Sequence, residues 1–413
     1  MRRPTILFMN RVYPPVRGAT GRVLRDLAKS FAREGWHVTI ITTGPKAKKE
    51  RDGPVRIIRV KAPERPRGSL SYMLIWLKML FVALRLKSRH LVVTMSDPPL
   101  VVVAGKIVAK FKKSRHINWC HDLYPDVIPA LGIEMPEYMM KFFKKQSRSA
   151  LESCDKVIVT GRCMAKHLTF EGINPSLITT VPNWPDIEIL EAPDSKDGNG
   201  QFFTVPTVNG ARPYNELLKD KQKFRVLYAG NIGLVHPIEP ILKAAEILQN
   251  EAPDIEFVFV GDGERFDYVA KQRTKRGLEN IRLLPFQPVE NLREVMESGD
   301  IHLISMCDEA AGFVVPSKLY TALAVARPCI FMGPTQTETA KVINDFQTGK
   351  VVPQGDADAL AEAIKHYRMS GQEWFAAHGG AARAREVFTP AGSIEALMER
   401  AWDSVQEDLR KTL

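Results

Sequence analysis

His121 and Asp122 end the apolar run "HINWCHD", and a histidine beside a carboxylate at a strand end can exchange a proton with a bound substrate near neutral pH. A second cluster lies in "AGFVVPSKLYTALAVARP", residues 311–328. There Pro316 suits a first helical turn, Ser317 can satisfy free amides, and Lys318 places a cation where a phosphate would be held. Three glycine-bearing turns also follow apolar runs: "YPPVRGATGR" with Gly18 and Gly21, "AGNIGLVHP" with Asn231, Gly233 and His236, and "VGDGE" with Gly261. Such turns let a backbone approach an anion closely. None is G-x-G-x-x-G, so the dinucleotide fingerprint is absent. Each cluster also has a plain structural reading as a capped helix, a tight turn or a core histidine. Only their mutual placement distinguishes function.

The elements that must position these residues follow from the apolar pattern. "TILFMN", a helix near 21–34 closed by Gly35, "HVTIITT", "RIIRV", a long apolar segment at 71–88 and "HLVVTMS" come first. "HINWCHD", a helix near 136–152, "KVIVTG" and "LITTVPN" continue the series. Short β-branched runs separated by helical spans predict βα units on a parallel sheet. Residues 185–220 lose that rhythm and gather Pro, Gly, Asn and Asp, as a linker or surface loop does. Alternation restarts at "FRVLYAGN" and continues through a helix near 238–250, "IEFVFVGDG", "IRLLPF", "DIHLISM", "PCIFMG" and "GKVVP". The pattern predicts an α/β chain of two Rossmann-like domains, 1–184 and 221–390, joined by 185–220 and followed by a terminal helix at 391–413. Ligands in doubly wound sheets lie beyond the carboxyl ends of the strands, which is where all five clusters fall.

Charge divides unevenly. Of the net +11, residues 1–190 carry 33 Lys and Arg against 15 Asp and Glu, or +18, leaving −7 for the remainder. A basic first half points to a polyanion there, nucleic acid or an anionic membrane. No helix-turn-helix, zinc or RNA-binding motif accompanies it, so nucleic acid is the weaker choice. Cys120, Cys154, Cys163, Cys307 and Cys329 form no C-x-x-C pair and no ligand spacing with histidine, which predicts buried thiols in a reducing, cytosolic compartment and no metal site.

Taken in order, "YPPVRGATGRVLRDLAKSFAREGWHVTIIT", "VTMSDPP", "HDLYPD", "VPNWPD", "LYAGNIG", "FVFVGDGE" and "VPSKLYTALAVARP" resemble glycosyltransferase family 4 of the GT-B glycosyltransferases, in its bacterial surface-polysaccharide branch. The resemblance runs end to end. It implies two domains facing a cleft, with a last helix crossing back to the first. It further implies a nucleotide-diphosphate sugar, of the UDP type, held by the second domain, and a glycan or lipid-linked acceptor at the first. Transfer would proceed with retention and without a metal or other cofactor. By position His121, with Asp122, matches the family's histidine near the transferred sugar, and Gly18 the loop beside the donor phosphates. Gly233 and Gly261 lie in donor turns, and Ser317 and Lys318 in the phosphate turn. The departures are specific. Asn231 and His236 stand where many relatives place Arg and Lys, and Phe313 and Thr321 stand where the family carries two glutamates, the second of which holds the nucleotide ribose. A catalytically silent nucleotide-sugar binder partnering an active enzyme is the alternative reading.

Residues 70–87, "LSYMLIWLKMLFVALRLK", are apolar up to the terminal Lys87 except for Ser71, Lys78 and Arg85, which recur every seven positions as one polar stripe. Two internal cations make this a poor spanning segment. Residues 136–148, "PEYMMKFFKKQSR", set Phe142 and Phe143 beside Lys141, Lys144 and Lys145, the composition of an interfacial helix. With "GPKAKKER" and "PERPRGS" in the same basic half, these segments predict a peripheral protein on the cytoplasmic leaflet, meeting an anionic membrane surface and a lipid-linked acceptor. For 70–87, a core helix beneath the sheet is the competing expectation.

Overall fold

The computed structural model describes residues 3–16, 18–191, 223–263, 265–288 and 291–410. Most of the expected linker 185–220, and Glu264 of "VGDGE", lie outside them. The first sheet holds β1 (Thr5–Met9), β2 (His37–Gly44), β3 (Lys48–Asp52), β4 (Val55–Lys61), β5 (Leu91–Thr94), β6 (Arg115–Cys120), β7 (Lys156–Val159) and β8 (Ile178–Thr180). Their order is β3-β4-β2-β1-β5-β6-β7-β8. Every pairing is parallel except β3 with β4.

Alternation along β1 explains why its run is apolar throughout. Ile6 and Phe8 enter one core layer, Leu7 and Met9 the layer on the opposite face, and both are buried. The helix α1 (Ala19–Arg33) covers the first face with Val23, Leu24, Leu27, Ala28 and Phe31, a stripe of helical period, and Gly35 at φ 84 ends it in the left-handed conformation. On the other face lie α2 (Gly68–Arg85), α3 (Val101–Lys112) and α4 (Glu137–Leu151). The spacing had not singled out α3.

The second sheet contains β9 (Phe224–Asn231), β10 (Ile255–Asp262), β11 (Ile281–Pro285), β12 (Ile301–Ser305), β13 (Cys329–Met332) and β14 (Gly349–Val352), ordered β11-β10-β9-β12-β13-β14 and parallel throughout. The last helix, Pro390–Arg410, returns to the first sheet. Its Ile394, Leu397, Ala401 and Val405 join the layer built on Ile6 and Phe8, and Trp402 meets Trp36 edge-on at 4.8 Å.

Two segments differ from expectation. "GPKAKKER" is not free basic charge throughout: Lys48–Asp52 pairs antiparallel with β4, Glu50 bonds Arg59 and Lys48, and Asp52 takes Arg25, Lys29 and Tyr13. Lys48 is thereby paired, while Lys46, Lys49 and Arg51 remain exposed. Nor is α2 a core helix. Only Ile75, Met79 and Ala83 are buried, whereas Leu70, Met73, Leu74, Leu77 and Phe81 form an exposed apolar stripe. Lys78 and Arg85 of the polar stripe share that open face, and the pattern alone does not report how many apolar neighbours stay open beside them.

Candidate functional site

The order of the second sheet reverses at β9, which pairs with β10 on one side and β12 on the other. Such a switch point opens a crevice at the carboxyl ends of the strands. In register there, Gly261 faces Gly230 and Asp262 faces Asn231. A Cβ at Gly261 would lie 2.1 Å from the Gly230 carbonyl oxygen, so only glycine lets these two turns approach.

Lys318 reaches back into this crevice. Its Nζ donates to the Asn231 carbonyl at 2.9 Å, lies 3.3 Å from His236 Nε2, and sits 5.2 Å above the Tyr228 ring. The residue as a whole retains intermediate exposure, yet protein encloses its ammonium closely enough that desolvation lowers its pKa to about 7. His236 is buried and its Nδ1 lies 2.5 Å from the Ser305 carbonyl. Burial first, and the Lys318 charge second, press its pKa down to about 3. It is neutral at physiological pH and does not replace the missing lysine as a cation. Gly233 lines the same turn: a Cβ there would stand 3.4 Å from Asn231 Nδ2.

Ser317 precedes the helix Lys318–Ala324 but makes no side-chain capping bond, and that helix is only 7 residues long. The expectation that a capped helix end would hold an anion therefore gives way to one resting on the Lys318 ammonium. Thr321 Oγ1 lies 3.4 Å from the Ser317 carbonyl, turned back onto its own helix. Phe313, at the other glutamate position, packs edge-on against His167 at 4.8 Å.

Across the cleft, the end of β6 carries His121 and Asp122. Ser96 Oγ accepts both of their backbone N–H groups, at 2.8 and 2.9 Å, which fixes the turn. The His121 ring lies 4.6 Å from Trp119, itself stacked on Trp184 at 5.6 Å, and its buried Nε2 has no hydrogen-bond partner. Desolvation lowers the His121 pKa to about 3. Asp122 retains intermediate exposure as a residue, but its carboxyl is desolvated and lies near Asp97, and its pKa rises to about 7. The sequence expectation is thus inverted. The histidine stays neutral, and the carboxyl is the group that titrates near neutrality.

The two sides are joined by backbone. Leu123 N–H donates to the Phe313 carbonyl at 2.9 Å, and Asp122 forms an antiparallel bridge with Val314, a few residues before Lys318. Arg162 adds two ion pairs across the same boundary, to Glu338 at 3.0 Å and Asp345 at 2.9 Å, and Arg65 pairs with Asp262. Gly18 lies on the first-sheet side, opening α1, where a Cβ would stand 2.8 Å from Val12 Cγ1. Sequence reasoning missed Tyr228, Ser305, Arg65 and Arg162. Tyr228 and Ser305 sit in apolar strands without a polar motif, and the two arginines gain meaning only from partners more than a hundred residues away.

On the outer face, Lys141 pairs with Glu137 and Lys144 with Asp126, both at 2.7 Å, so part of the expected basic charge of α4 is internally compensated. Lys145 is exposed, as is Phe142 at 56%, while Phe143 is half-buried and meets the Phe142 ring at 5.6 Å. Among the described residues no group of His, Cys, Asp and Glu is disposed to hold a metal ion.

Family comparisons agree with this architecture. Residues 20–189 match the model described as Glycosyltransferase Family 4, and residues 214–370 match that described as Glycosyl transferases group 1. The chain is 22% identical over 282 residues to the "Probable glycosyltransferase WbjE" of Pseudomonas aeruginosa, covering 68% of this chain and 66% of that one. It is 28% identical over 274 residues to the "Putative colanic acid biosynthesis glycosyl transferase WcaI" of Escherichia coli K12, covering 65% and 64%. The matched regions thus span just under two thirds of those relatives. Among solved structures, Anabaena HepE in complex with UDP-glucose superposes with a TM-score of 0.70 at 16% identity, covering 97% of this chain and 99% of that one. Two family models that together take in most of the chain, on two facing parallel sheets with a returning helix, place this protein in glycosyltransferase family 4, group 1, with the GT-B fold.

Proposed function

We propose that the protein transfers a sugar from a nucleotide-diphosphate sugar, of the UDP type, to a glycan or lipid-linked acceptor during cell-surface polysaccharide assembly, with retention of configuration and without a metal. One observation carries this reading. The Asp122–Val314 bridge ties the His121 turn to the segment that ends in Lys318, so one cleft presents a cation on one wall and an unpartnered imidazole nitrogen on the other. A departing diphosphate develops negative charge that Lys318 offsets, and a neutral His121 offers its ring nitrogen to a sugar hydroxyl. The names of WcaI and WbjE support the reaction class, and the UDP-glucose complex of HepE supports the donor class.

The acceptor reading draws support from the outer face of the first sheet. Leu70, Met73, Leu74, Leu77 and Phe81 on α2, Phe111 near the end of α3, and Tyr138 and Phe142 on α4 are exposed apolar side chains on one side of a strongly basic domain. That composition suits the anionic cytoplasmic leaflet, and a protein resting there meets a lipid-linked acceptor.

Melting temperatures measured with UDP-, GDP-, ADP- and TDP-sugars, followed by transfer assays on lipid-linked glycans, test the reaction. A ligand that binds only the folded state raises stability as ln(1 + [L]/Kd), so the true donor shifts the melting point. No shift and no transfer with any of them refutes the reading. For the membrane, sedimentation with anionic vesicles that weakens with salt and on Phe142→Ser/Phe143→Ser supports docking; absence of binding at low ionic strength removes it.

A further inference from the structure

We propose that His236 is a positioning residue for Lys318: it takes no part in contacting the donor and instead holds the ammonium at the phosphate position. This inference rests on the assignment of Lys318 to the donor phosphates.

The geometry fixes the tautomer. His236 Nδ1 lies 2.5 Å from the Ser305 carbonyl, which can only accept, so the ring proton is on Nδ1. Nε2 is then a bare acceptor, 3.3 Å from Lys318 Nζ. Ser305 ends β12 and His236 follows β9, so the imidazole spans the two strands that part at the switch point. Among the three N–H bonds of the ammonium, one goes to the Asn231 carbonyl at 2.9 Å and one to Nε2, with the Tyr228 face 5.2 Å away. One N–H remains for an anion. At 9% exposure His236 has little surface of its own to offer a ligand. Its backbone carbonyl accepts from Arg265 at 3.5 Å, which places a further cation beside the same turn. Burial and the Lys318 charge keep the imidazole neutral, so it acts as an acceptor toward the ammonium and not as a competing cation.

Binding of inorganic pyrophosphate and of UDP to the full-length protein, measured by calorimetry, tests this with four variants. Lys318→Ala probes the underlying assignment: if it binds both as wild type does, or if wild type binds neither, the phosphate reading falls and the inference with it. Given a loss in Lys318→Ala, His236→Phe keeps the ring volume but withdraws the acceptor, and a roughly tenfold rise in Kd is expected. His236→Gln returns an acceptor oxygen at the outer position and should recover most of that loss. His236→Phe/Lys318→Ala should bind no more weakly than Lys318→Ala alone, because the two act as one unit. Wild-type affinity in His236→Phe, or a further loss in the double variant, overturns the positioning role while leaving the Lys318 assignment intact. Should the Phe variant fail to fold, His236→Asn carries the same test: it can still donate to Ser305 but cannot reach Lys318.

Discussion

His121 and His236 occupy comparable places on opposite walls of the cleft, each beyond the end of a parallel strand, each buried, each with its pKa pressed down to about 3. Their hydrogen bonding separates them. His236 has both ring nitrogens in contact with protein, one with Ser305 and one with Lys318. His121 has a buried Nε2 with none. A buried polar atom left without a partner costs about 1–3 kcal/mol, and a fold retains that cost most readily where a ligand supplies the missing bond. The same residue type is thus spent on internal architecture on one wall and left open on the other.

The largest effect that would sharpen this contrast is at His121. His121→Ala should lower turnover about a hundredfold or more while changing donor affinity little, since its bond would form chiefly in the transition state. Single-turnover kinetics alongside donor titration separate the two quantities, and parallel losses would make the histidines alike. Next in size, Lys318→Ala should weaken donor binding by about 1.5–3 kcal/mol, the worth of a charged hydrogen bond, read as a rise in donor Kd.

A smaller effect lies in pH. Because the folded-state pKa of Lys318 is lowered to about 7, the ammonium is lost as pH rises through that value, and donor affinity should fall several-fold between pH 6 and about 8.5. Folding stability responds with the opposite sign. The unfolded chain keeps this lysine protonated up to its ordinary range, so it binds more protons than the folded one above pH 7, and this group's contribution to stability rises there. A titration in which Lys318→Ala keeps the wild-type pH slope of donor affinity would assign the slope elsewhere. Smallest of all, Arg162→Ala should lower stability by about 1–2 kcal/mol, because Arg162 is half exposed although Glu338 is buried. Unfolding in urea measures it, and no change would mean that the backbone bonds at Phe313 and Val314, the Arg65–Asp262 pair and the apolar cluster that Val127 shares with Ile304 and Met306 hold the walls together without Arg162.

Much of this was written in short windows of the sequence. Apolar runs such as "TILFM" and "FRVLYAG" specify strands buried on both faces, Gly35 marks a left-handed helix end, and Gly261 a turn that tolerates no side chain, because such preferences act over a few residues at a time. The positions of His121, Asn231 and His236 at or beyond strand ends, and of Lys318 at a helix start, were legible for the same reason. Tertiary structure alone decided what those residues do. Lys318 gains its partners from 82 and 87 positions away, and only that convergence makes His236 an acceptor and Tyr228 part of the cluster. The inversion of His121 and Asp122 comes from desolvation, which depends on what packs around a group and not on its neighbours in the chain. That α2 leaves Leu70, Met73, Leu74, Leu77 and Phe81 open beside Lys78 and Arg85 was likewise a tertiary outcome, since apolar residues flanking a narrow polar stripe are covered or exposed only once a sheet is placed against the helix.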